Sequence, residues 1–256
     1  MTYLSDEELD KIVEENRRPF LTGAAKRLLN QELISYKNMP FAQRGEITLI
    51  FGQAKTRRSA FNNLIASIAL GFKVDGFKVP EINFEPRILI LDTNHSSYDS
   101  LRMLNYIAKR VGEKVLDCEY MNMSANSPDL QTVEALLDRA ATQGNPYDIV
   151  ILDEITDFDS NTEETKWQFA GEVWALAKKY QCSVIVTAYD CWWPGAEDPD
   201  KVFWGGEAFY KGAKAIMYLS LNKEHQTEIH YIYPSGQLRN LPFKIGNLES
   251  GLPYIL

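Results

Sequence analysis

The hydrophobic positions fall into short unbroken runs separated by stretches of helical spacing. Ile47, Thr48, Leu49, Ile50 and Phe51 form the first run, with Gly45 before it and Gly52 after it. An apolar, β-branched run without polar alternation predicts a strand buried on both faces. The pattern recurs at 87–92, 148–154, 183–188 and 215–220, the third run ending in Asp153 and Glu154. Between the runs, apolar residues at helical intervals predict helices over 59–71, 97–110, 129–141 and 162–180. The second carries Leu101, Leu104, Ile107 and Ala108 on one face, and Ser127 or Asp129 caps the third. A turn-rich connection at 72–80, a short helix at 207–211 and weaker strands at 119–123, 228–233 and 243–245 complete the pattern. Ahead of it, residues 1–38 read as one or two helices. Ser5 with Glu8 makes a capping box before Leu9, Ile12 and Val13, and a second helical segment falls near 24–33. The expected organisation is a helical N-terminal arm over 1–40, packed on the main domain or on a neighbouring subunit, then one domain over 41–256.

Strands alternating with helices predict an α/β domain, a mostly parallel central sheet flanked by helices. Ligands of such sheets sit beyond the carboxyl ends of the strands. Four polar clusters fall at those ends, at 52–59, 92–97, 153–157 and 187–190.

Composition narrows the partners. The 256 residues suffice for a substantial core, and 45% apolar content is ordinary for a globular protein. A net charge of -8 weighs against a broad basic face for nucleic acid but leaves room for a local basic loop. No apolar run reaches the roughly 18 residues of a membrane span. The acidic start of the chain lacks the basic and apolar regions of a signal peptide, so a cytoplasmic protein is expected. Cys118, Cys182 and Cys191 lack C-x-x-C spacing and read as small buried thiols in a reducing compartment. His95, His225 and His230 make no metal-ligand pattern. Residues 190–204 hold Trp192, Trp193 and Trp204 and read as a surface loop with aromatic interface anchors.

The chemistry centres on Gly52, Gln53, Ala54, Lys55, Thr56, Arg57, Arg58 and Ser59. Strand, short polar loop and helix is the context of a phosphate-binding loop, and the spacing from Gly52 to Ser59 fits G-x-x-x-x-G-K-S/T. Arg57 stands at the second glycine and Arg58 at the lysine. Ser59 can offer a hydroxyl to magnesium, Arg58 a planar cation, and Lys55 a second cation from the loop crest. If position 57 needs a positive φ, its β-carbon costs about 1–2 kcal/mol. A tight strand-to-helix turn with surface basic residues is the plain alternative. Asp153 can hold magnesium through water, and Glu154 can orient an attacking water, unless the two are simply acids in a loop. Asn94 cannot act as a base, although it can hydrogen-bond a water or phosphate. His95 reads as a solvated turn histidine before it reads as an acid–base group. Thr187 and Tyr189 mark either a polar sensor or a turn.

These motifs, in this order, resemble the RecA-like ATPases, especially the hexameric replicative-helicase and plasmid RepA-like branch of mobile elements and phages. Residues 52–59 look like that branch's G-K-A-K-S-x-K-S/T loop. Residues 91–94 resemble the strand end carrying the family's catalytic glutamate, here Asn94, and 151–153 resemble its Walker B strand. Residues 206–213 resemble the segment that reaches a neighbouring subunit's nucleotide, with Lys211 and Lys214 as its candidates. The closing 241–245 and 251–253 look like the branch's tail. The resemblance spans roughly 40–256. It implies a RecA-like P-loop NTPase fold, ATP and Mg2+ as ligands, and a homo-oligomer. It also implies single-stranded DNA or replication and mobilisation proteins as partners. With the lysine and the glutamate both replaced, the expectation is weak ATP binding or slow hydrolysis in replication, mobilisation or recombination of a mobile element. A non-catalytic interaction scaffold and an active single-strand translocase are the alternatives. The reading requires the turn at 52–59 to lie beside the acids at 153–154. A turn collapsed on its own arginines and remote from those acids would exclude it.

Overall fold

The unbroken apolar runs become interior strands, and the helical spacings between them become helices on both faces of a sheet. The computed structural model describes residues 31–52, 55–79, 85–124, 129–155, 163–189, 209, 212–223, 226–232, 238–239, 244–247 and 253–255. The chain opens there with β1 (Glu32–Tyr36) and β2 (Met39–Gln43), followed by β3 (Ile47–Gly52), α1 (Arg58–Ala69) and β4 (Phe77–Lys78). Next come β5 (Ile88–Asp92), α2 (Ser97–Val111), a 3-10 helix (Gly112–Asp117), β6 (Cys118–Asn122) and α3 (Leu130–Thr142). Then follow β7 (Ile149–Asp153), α4 (Glu163–Tyr180), β8 (Ser183–Tyr189), β9 (Ala215–Leu221) and β10 (Thr227–Ile232). The last strands are β11 (Leu238–Arg239), β12 (Lys244–Asn247) and β13 (Pro253–Ile255).

The main sheet has the order β13-β12-β10-β9-β3-β8-β7-β5-β6, with β11 beside β10. From β9 to β6 every described pairing is parallel. Strands β10, β12 and β13 extend the sheet antiparallel. Side chains alternate between the two faces, as the pleat dictates. Ile50, Ile90, Ile151 and Ile185 pack with Phe61, Leu64 and Ile65 of α1 and with Ile107 of α2. Leu49, Leu91, Leu152 and Val186 pack with Leu137 of α3 and Val173 of α4. Right-handed crossovers explain this division. The chain moves outward from β3 to β6 through α1 and α2, then returns to β8 through α3 and α4, so the second helix pair falls on the opposite face.

Two expectations give way. Over 32–36 the chain is a strand, not the end of a helix. Lys37 and Asn38, with φ of 47° and 62°, make the tight two-residue turn that matches strand twist, and Tyr36 and Phe41 pack on Phe77 at 4.6 and 5.9 Å. The rest of the expected arm lies outside the described residues. On α2, Ile107 is buried as expected, but Leu101 is 67% exposed. The helix lies beside β6, last in the sheet order, so part of its apolar stripe has no strand beneath it. That stripe lines an open groove of about 550 Å³ with Val115 and Leu116. Of the short helix at 207–211, the described residue is Phe209, which is helical and buried.

Candidate functional site

The two-residue period of the strands carries polar side chains to one place. Ile90 leads to Asp92, Ile151 to Asp153 and Ile185 to Thr187, so these three point to the same face as Ile50 and α1. Asp92 pairs in register with Asp153 on one side and Asn122 on the other. Gly52 pairs with Tyr189 and Leu219. The connection leaving β3 runs over the α1 face, while that entering β9 packs Phe209 and Ala213 on the other face. Neighbouring strands whose connections depart to opposite faces create the crevice in which open α/β sheets bind ligands.

The turn after β3 is shaped by backbone conformations that side chains rarely adopt. Arg57 is left-handed, with φ 64° and ψ 37°, and Lys55 has φ 68°. Glu154, after β7, has φ 70°. Each costs on the order of 1 kcal/mol or more, and such outliers gather where a site over-determines the chain. Gly52 is required for a different reason: a β-carbon there would stand 2.4 Å from the Leu219 carbonyl oxygen. Thr56 is fully buried, and the Thr227 hydroxyl donates to its carbonyl at 3.2 Å. Arg57 is the N-cap of α1 without a side-chain capping bond, and the first turn holds no acidic residue. The positive end of the helix dipole is therefore crowded with cations, an arrangement that is favourable only when an anion answers it. Glu154 is one such anion. Arg58 donates through one guanidinium nitrogen to the Gly52 carbonyl and through the other to Glu154 at 2.6 Å.

Two carboxylates beneath the turn are held in opposite states. Asp92 is fully buried. The backbone N–H groups of Asn94 and His95 and the His95 ring donate to it at 3.0–3.1 Å. The hydroxyls of Ser100 and Tyr120 add bonds of 2.8 and 2.9 Å. Burial pushes its pKa up, but the His95 bond and charge and the two hydroxyls outweigh burial and hold it at about 2. Burial and the Asp92 charge push Asp153 up to about 7, against the Ser59 hydroxyl, which donates to it, and His95. The bond to Asp92 holds His95 above its ordinary value. Ligand atoms of Asp92, His95 and Asp153 lie within 4.8 Å of one another. Thr93 stitches the strand ends together, its hydroxyl donating to the carbonyls of Asp153 and Glu154 at 3.0 and 3.1 Å.

Of the residues singled out in the sequence, the structure brings together Gly52, Thr56, Arg57, Arg58, Ser59, Asp153 and Glu154. Lys55 is exposed on the crest, and Asn94 is exposed at the end of β5. Thr187 is buried, and its hydroxyl accepts from the Asn62 side chain at 2.6 Å, so it is part of the α1 contact rather than a sensor facing solvent. His95 is not a solvated turn histidine; its side chain is 22% exposed and bound to Asp92. Gln53, Ala54, Lys211 and the tryptophan-rich stretch at 190–204 lie outside the described residues. Sequence reasoning missed Thr93, Asn62 and Tyr120. An Asp at a strand end just before a polar turn is the signal that could have pointed to the Asp92 cage, since an Asx side chain accepts from the backbone N–H two residues on. Among the described residues no helix is long and apolar enough to cross a membrane. No protein-family model and no curated protein matches this sequence.

Proposed function

We propose that this chain is a degenerate RecA-like ATPase-fold protein that binds ATP weakly or hydrolyses it slowly. The observation carrying this reading is the meeting, where α1 begins, of the Arg58–Glu154 pair with the Ser59–Asp153 pair. Backbone N–H groups and side-chain cations at a helix N-terminus suit a polyphosphate. A hydroxyl in contact with a carboxyl suits a hard cation such as Mg2+. Asp92 already receives several donors, so Ser59 and Asp153 are the residues that would hold the ion. When bound, the ion would neutralise phosphate charge. Arg58 would grip phosphate, Glu154 would orient water, and Asn94 would hydrogen-bond water or phosphate without removing a proton. Loss of a general base typically lowers a rate by factors of a hundred or more.

Self-association, single-stranded DNA or replication and mobilisation proteins as partners, and a role on a mobile element follow from the resemblance at 52–59, 151–153 and 206–213. A second reading is a non-catalytic scaffold with the same fold. The Arg58–Glu154 bond favours it, because it occupies both the cation and the water-orienting acid. Isothermal titration with MgATP and a turnover assay on wild type and Glu154→Gln test the first reading. Measurable binding is expected, with slow turnover that Glu154→Gln abolishes. Binding without turnover favours the scaffold, and neither heat nor turnover removes the nucleotide role.

A further inference from the structure

Arg58 opens α1 after β3 and Glu154 follows β7, two strands separated in the sheet by β8. Their side chains are 11% and 8% exposed, so the pair is largely buried rather than waving in solvent. The same guanidinium binds the Gly52 carbonyl, at the point where the turn leaves the sheet. Only a forked cation can hold a carbonyl and a carboxylate at once, each through its own nitrogen. Lysine, with one ammonium, would hold such a bridge less firmly. The arginine at this position therefore has a use of its own.

We infer that the Arg58–Glu154 bond is a latch that keeps the crevice shut until a polyphosphate displaces Glu154 from the guanidinium. This rests on the proposed nucleotide site and adds its regulation. In the closed form Arg58 is turned from the phosphate position toward Glu154, and Glu154 is unable to orient water. One exchange of partner, carboxylate for phosphate, places both. Apparent affinity is then reduced by the small fraction of molecules with the latch open. Glu154 sits with φ 70°, its carbonyl tied to Thr93 at 3.1 Å, so the acid is presented to Arg58 by a backbone that the neighbouring strand holds in place.

The test is a double-mutant cycle on the full chain, with MgATP affinity measured by titration calorimetry for wild type, Glu154→Gln, Arg58→Ala and the double variant. Glu154→Gln is expected to tighten binding about tenfold, the gain from removing a latch closed in about nine molecules of ten. That gain is expected to vanish in the Arg58→Ala background. An equal gain in both backgrounds would mean that Glu154 merely repels phosphate, and the latch is overturned while the nucleotide site stands. Wild-type binding with no gain in Glu154→Gln overturns it likewise. No binding by any of the four overturns the nucleotide site and the latch with it. Should Glu154→Gln fail to give a cooperative thermal melt, Glu154→Ala carries the same cycle.

Discussion

At Asp92 and Asp153, two identical carboxyl groups in register on adjacent strands are driven apart by their neighbours. Asp92, held at about 2, contributes stability that is present above the ordinary carboxyl value of 3.8 and lost as pH falls toward 2. Asp153, held up at about 7, has the opposite sign: its contribution is whole below 3.8 and is lost as pH rises through 7. Asp153→Asn cannot ionise, so its stability relative to wild type is expected to rise by on the order of 2 kcal/mol from pH 5 to pH 8. Urea denaturation of both proteins at the two pH values measures this, and a constant difference would mean that Asp153 is ionised throughout. At this scale the sequence was partly legible. The need for a positive φ at position 57 could be posed from the motif spacing. The part of Tyr120 in the cage around Asp92 could not, because it joins from another strand and pairing across a sheet leaves no mark of local spacing.

Elements were more legible than residues because burial imposes a period. Strands covered on both faces must be apolar throughout, and β3, β5, β7, β8 and β9 were visible for that reason. The errors fell where that constraint loosens. The β1–β2 hairpin belongs to a small separate sheet, where Lys37–Asn38 was the turn signal that outweighed the helical spacing of the leucines before it. The α2 stripe, half uncovered at the sheet margin, reads in sequence like any buried face. The closeness of β3 to β9 was likewise invisible, although Gly52 recorded it. Gly52→Ala would press a methyl group against the Leu219 carbonyl and the Thr56 hydroxyl. A loss of about 1–3 kcal/mol is expected from such overpacking, read as a lower urea midpoint, and an unchanged midpoint would show that β9 yields.

Across the whole molecule the two ends of the sheet are built for different purposes. At the amino end, Asp148 accepts from the Arg44 side chain and from the Arg87 backbone at 2.8 Å, while its own carbonyl accepts from Ser183 at 2.8 Å. These bonds join the starts of β5, β7 and β8 without strained backbone at Asp148. Asp148→Ala is therefore expected to cost about 1–3 kcal/mol in urea denaturation while leaving MgATP affinity unchanged. A parallel loss of affinity would mean that the clamp reaches the opposite end. The carboxyl end gathers the buried Asp92 and Asp153 and left-handed Arg57 and Glu154. One of its contacts also sets an order of events. The turn after β3 is made before β9 and β10, yet Gly52 packs against Leu219 and a bond to the turn's buried threonine comes from Thr227. A nascent chain carries that turn unfinished until β9 and β10 emerge, so the turn sets only after the strands that complete it.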